Sequence, residues 1–186
     1  VDVIDAIGLG MTWEAFERYM WEHKPRYMII HATAPTLTND MRTTFIGKAV
    51  GTITMAIGTH VTPMSRETLE SYPTLDIVVR GEPELTIVDA IQTIDRTIKA
   101  EGADETIMVG NPDLTAPWRK LPFPDASYLT TRGRFAGVSP TLLAKALREV
   151  RGVAFRDNNA QVQINPDRPF IEDLDTLPIP LHDKLP

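Results

Sequence analysis

At 186 residues, 42% hydrophobic and 24% charged, the chain has apolar material for one well-cored domain and an appendage. Its net charge of −6 and scattered basic residues argue against a nucleic-acid surface, which needs clustered Lys and Arg. The absence of cysteine excludes disulfides, thiolate-bound zinc and an iron–sulfur cluster held by these residues. There is no run of about 18 apolar residues and no charged-then-apolar leader, so neither a membrane span nor a signal peptide is expected and a cytoplasmic setting follows.

Residue 1 is Val, and VDVID reads as a strand with no lead-in, so the chain is expected to be a fragment cut through a domain at its N-terminus. Val1–Ala6 is the first expected strand, broken by Gly8, Leu9 and Gly10. Thr12 can cap a helix whose apolar positions Trp13, Phe16 and Met20 recur at helical spacing, with Glu14 in its first turn and Pro25 ending it. The strand Tyr27–Ala32 follows. A second helix starts near Thr38, burying Met41, Phe45 and Ala49, with Gly51 as its C-terminal stop. Ile53–Ile57 makes the next strand, Ser65 caps a short helix to Tyr72, and Leu75–Val79 makes a fourth strand. Ile87, Ile91, Ile94 and Ile98 then form one apolar stripe on the longest helix. This βαβαβαβα order predicts a three-layer α/β fold, Rossmann-like and flavodoxin-like, with a parallel sheet.

Beyond Ala100 the alternation fails. Residues 101–150 read as an insert of unassigned role ending in a Pro-capped helix, Ser139–Val150. Residues 151–186 read as a hairpin, Val153–Arg156 with Gln161–Ile164, followed by a linker.

Three of the expected strands end in polar tips on what must be one edge, and ligands of open α/β sheets bind outside the carboxyl ends of strands. The tips are Thr33, Ala34, Pro35 and Thr36; Gly58, Thr59, His60, Val61 and Thr62; and Arg80, Gly81 and Glu82, followed by Pro83 and Glu84. Each has a plainer reading. Thr33 and Thr36 can be only helix caps, the Gly58–Thr62 stretch a tight strand-to-helix turn, and the stretch from Arg80 to Glu84 an ion-paired helix start, which the chemistry alone favours. His31 reads as a core histidine, His23 as a helix-end charge, and His182 lies in the linker. Neither a catalytic residue nor a metal ligand is assigned.

Taken together these tips resemble the cobalamin-binding domain that precedes the catalytic barrel in B12-dependent radical S-adenosylmethionine enzymes. The matching stretches are VDVIDA, ATAPTLTND, GTHVT, VVRGEPELT and the tail RGVAFRDNN…INPDRPFIEDLDTLPIPLHDKLP, covering residues 1–95 and 147–186. Three departures stand out: the family's first strand and helix are missing, Thr59 replaces a usual second glycine, and the radical domain with its cysteines is absent. The resemblance implies a B12-type fold, incomplete at its N-terminus, over residues 1–100. It also implies a corrin across the carboxyl edge, and a nucleotide tail descending toward the Thr33–Thr36 and Gly58–Thr62 loops.

S-adenosylmethionine and a [4Fe–4S] cluster would belong to a C-terminal radical domain of the parent protein, a methyltransferase or an oxidative cyclase. The segment Asp5 to Gly10 nearly spells the D-x-H-x-x-G loop that supplies a histidine to cobalt in many corrinoid proteins, but Ile7 stands where the histidine would be. Cobalt is therefore expected without a protein imidazole. A stand-alone corrinoid methyl carrier and a flavodoxin-like or receiver-like signalling module are the alternatives. The first needs the missing histidine loop, and the second an acidic cluster and a lysine at strand ends.

Overall fold

A computed structural model describes residues 1–102 and 138–179 of the chain. Five strands form one sheet in chain order: β1 (Tyr27–His31), β2 (Ile53–Ile57), β3 (Ile77–Val79), β4 (Val153–Arg156) and β5 (Val162–Ile164). β1, β2 and β3 run parallel, with Tyr27 opposite Ile53 and Met55 opposite Ile77. β4 is antiparallel to β3, and β5 to β4. The architecture is α/β with a mixed, Rossmann-like sheet. The expected hairpin does form, and it extends the sheet beyond β3.

The helices follow their sequence signals. α1 (Trp13–His23) is capped by Thr12, whose hydroxyl accepts the Ala15 N–H at 3.2 Å, and it ends where Lys24 turns left-handed at φ 44°. α2 (Leu37–Ala49) buries Met41 and Phe45 and is followed by Gly51 at φ 84°. α3 (Ser65–Ser71) begins one residue after its cap position, Met64. Ser65 is therefore not the cap; its hydroxyl instead donates back to the carbonyls of Val61 and Thr62. α4 (Pro83–Ala100) and α5 (Pro140–Leu147) each start with proline at a position where no helical donor is lost.

Strand alternation sorts the core into two layers. Ile53, Met55, Ile77, Val79, Val153 and Phe155 face α4 and α5, packing on Ile94, Ile98, Leu143 and Leu147. Ala56, Val78 and Ala154 face the other way, toward Met41 of α2 and Leu69 of α3. α1 stacks outside α2 through Met20, Phe45, Ile46 and Val50. Burying one such side chain as completely as Ile94 contributes about 1.5–3 kcal/mol. Among the described residues no helix is long and apolar enough to cross a membrane.

Three expectations are corrected. Val1–Ala6, expected as a strand, pairs with no strand among the described residues. Asp5 instead accepts the Gly8 N–H on its carboxylate and the Leu9 N–H on its carbonyl, starting a turn, while Asp2 accepts from Tyr19 of α1. The sheet expected to be parallel is mixed, because β4 and β5 return antiparallel beside β3. His31 is exposed rather than in the core. It ends β1, which pairs only with β2 among the described residues, and the α4 layer is centred on β2 and β3, leaving Ile29 41% exposed as well. Most of the insert expected over 101–150, and the tail from 180 onward, lie outside the described residues; the insert's expected terminal helix is α5.

Candidate functional site

Because β1, β2 and β3 are parallel, the loops that follow them lie on one edge of the sheet. The first two meet backbone to backbone. Ala32 donates its N–H to the carbonyl of Ile57 at 2.9 Å, and Gly58 has φ 132°. A Cβ on Gly58 would lie 2.4 Å from the Ala32 carbonyl oxygen and 3.4 Å from the ring of His31. The glycine is required by both its backbone angle and its neighbour. Thr59 has no positive φ, so the backbone does not ask for the second glycine that the resemblance leads one to expect there. Val61 is fully buried in the α3 layer and serves the core, while His60 is half-buried.

Thr36 occupies the cap position of α2, yet its side chain does not cap the helix. Its hydroxyl donates to the Asp40 carboxylate at 2.6 Å and lies 2.8 Å from the hydroxyl of Thr33. Asp40 also accepts the Thr33 N–H at 3.3 Å. The loop Thr33–Thr36 is thus tied to the first turn of α2 by a chain of hydroxyls ending on a carboxylate, with Ala34 and Pro35 exposed between them. Asp40 was not among the residues singled out from the sequence. The signal for it was there: position i+4 from Thr36 lies on the same helical face.

The second and third loops are joined by Thr62, whose hydroxyl donates to the Gly58 carbonyl at 3.1 Å and accepts the Gly81 N–H at 3.3 Å. Gly81 has φ 72° and no heavy atom within 4 Å of where its Cβ would be, so the left-handed turn alone explains it. The other two residues of this tip face a different task. Arg80 pairs with Asp167 at 2.8 Å and donates to the Asn165 carbonyl at 3.1 Å, while Glu82 accepts the Ile171 N–H at 2.6 Å. Arg168 reaches Asp89 of α4, and Gly152 donates to the Pro166 carbonyl. Arg80 and Glu82 therefore fasten the tail along the sheet edge; the ion pair expected within the helix start is made instead with Asp167, 87 residues on.

The edge consequently presents the bare backbone of Gly58 packed on Ala32, hydroxyl oxygens, the imidazoles of His31 and His60, and the open side of Gly81. Among the described residues no group of three His, Asp or Glu side chains is arranged to hold a metal ion. Three displaced titrations lie elsewhere. The hydrogen bond to Asp2 raises the Tyr19 phenol, burial lowers Arg156, and backbone N–H groups of Gln161 and Asn159 hold the Asp157 carboxyl below its ordinary range. Arg156 and Asp157 sit at the opposite edge, where β4 ends beside Asp76 and turns into the hairpin.

Comparison with known proteins adds one relative. The chain is 21% identical, over 188 residues, to an uncharacterized methyltransferase of Pyrococcus horikoshii. The alignment takes in 100% of this chain and 30% of that protein, so the chain spans under a third of its relative's length. No family model matches.

Proposed function

We propose that the chain is the cobalamin-binding module of a B12-dependent radical S-adenosylmethionine enzyme. The observation that carries the reading is the carboxyl edge itself: Gly58 packed against the Ala32 carbonyl, with the hydroxyls of Thr33, Thr36 and Thr62 on either side. The amide edges of a corrin suit such a surface, because Asp40 stands behind the threonines and their hydroxyl oxygens can accept from amide N–H groups. The name of the Pyrococcus relative, a methyltransferase, agrees with a corrinoid that carries methyl groups.

In this reading Thr33, Thr36, Gly58 and Thr62 line the ligand surface, Gly81 leaves its third side open, and His60 hydrogen-bonds the nucleotide tail. Bound cobalamin supplies methyl transfer or assists an oxidative cyclisation, and the protein supplies its placement. The S-adenosylmethionine and [4Fe–4S] sites belong to a radical domain outside this chain, since no cysteine is available here to hold a cluster.

The test is retention. The 186-residue chain mixed with excess hydroxocobalamin and passed through gel filtration should carry about one equivalent of corrinoid, read from its visible spectrum. Elution free of corrinoid at micromolar protein would overturn the proposal.

A further inference from the structure

The hydroxyl chain at the first loop has a direction, and the direction decides what the loop can bind. An ionised carboxylate only accepts, and a threonine hydroxyl has one proton to give. Asp40 therefore takes the Thr36 proton across the 2.6 Å contact. The Thr36 oxygen, its proton committed, must accept across the 2.8 Å contact with Thr33. Thr33 is left with its proton directed inward and its lone pairs free, while its N–H is also taken by Asp40. Thr33 is half-buried, two residues beyond β1 and next to Ala32, whose carbonyl packs on Gly58.

We infer that Asp40 is a positioning residue that fixes Thr33 as a pure hydrogen-bond acceptor, so that this loop selects a neutral amide N–H donor of the ligand and rejects a carboxylate in its place. The inference rests on the corrinoid reading above and requires that the corrin rim, which carries the primary amides, reach Thr33 where the corrin crosses the carboxyl edge. A carboxylate in that position has no proton for the Thr33 lone pairs and sets a negative charge beside Asp40. Sites built to hydrogen-bond one group discriminate against an analogue that lacks it, because the polar partner is left unpaired once the ligand covers it.

The experiment uses hydroxocobalamin and its positional monocarboxylic acids, in each of which one side-chain amide has been hydrolysed, titrated into the 186-residue chain. One isomer should bind about ten- to a hundredfold more weakly than hydroxocobalamin, and the others nearly as well. In Thr33→Val that difference should shrink to within about twofold, because hydroxocobalamin loses affinity and the acid does not, whereas Thr33→Ser should keep it. In Asp40→Ala, where the Thr33 proton is freed, the acid should recover toward the amide. The urea midpoint of each variant checks folding. Equal binding of every isomer would overturn the inference while leaving the corrinoid reading intact, as would discrimination that survives Thr33→Val. Failure to bind any corrinoid would overturn both.

Discussion

Gly58→Ala separates a glycine kept for the backbone from one kept only for a ligand. The new Cβ would sit 2.4 Å from the Ala32 oxygen, whereas real Cβ contacts essentially never fall under 3.0 Å, so the Ala32 carbonyl must retreat by about 0.6 Å. That shift strains the neighbouring bond from Ala32 N–H to the Ile57 carbonyl, worth about 1 kcal/mol. Holding alanine at φ 132° adds about 1–3 kcal/mol. The expected loss is about 2–4 kcal/mol. In urea, with a slope of about 2 kcal/mol/M, the midpoint should fall by about 1–2 M at unchanged slope. Gly81→Ala is the control: its φ of 72° costs about 1–2 kcal/mol, and no neighbour is struck. A Gly58→Ala midpoint within about 0.3 M of the parent chain, or a larger loss for Gly81→Ala, would refute this reasoning. A bulky residue at Gly58 is for the same reason no clean way of blocking a ligand, since the fold itself is disturbed.

Other consequences are equally direct. Arg156 donates to the carbonyls of Leu69, Pro73 and Leu75, stitching β4 to the α3–β3 connection; Arg156→Ala should cost about 2–4 kcal/mol in chemical denaturation, with Arg156→Lys recovering only part. Asp157 accepts from Asn159, Gln161 and Gln163, and its pKa is lowered in the folded chain. Its contribution is therefore present above the ordinary carboxylate pKa of about 4 and is lost as pH falls through the lower folded value; an acid-unfolding series should show this component vanish in Asp157→Ala. The hydroxocobalamin complex, once reduced, should give a base-off electron paramagnetic resonance spectrum without nitrogen splitting from a protein imidazole. His31→Ala and His60→Ala should leave it unchanged, whereas nitrogen splitting that either variant removes would place that histidine on cobalt.

Much of the fold was legible because its signals were local. Thr12 and Pro25 bracketed α1, the isoleucine stripe marked α4, and Asp157 to Ala160 announced the hairpin, each from residues within a few positions of one another. What escaped was set by distant partners. VDVID has the composition of a strand but no neighbour to pair with among the described residues, and its aspartates instead bind a turn and α1. The hairpin's place beside β3 depends on a pairing 76 residues apart, Val78 with Ala154, which no local pattern carries. His31 looked buried because its strand is apolar, yet its exposure depends on how far the α4 layer reaches. At the candidate site the three loops were visible in the sequence, but the division of labour within them was not. Arg80 and Glu82 turn to the tail only because residues 165–171 return to that edge. Asp40 gains its role only once α2 is wound.

The most direct measurement is the amide NMR spectrum of the 186-residue chain recorded with and without one equivalent of hydroxocobalamin. The account predicts that shifts concentrate at residues 32–37, 58–62 and 81–82, with the amino-edge residues 50–53 and 73–76 unmoved. Shifts centred on the amino edge or on the hairpin, or none at saturating corrinoid, would contradict it.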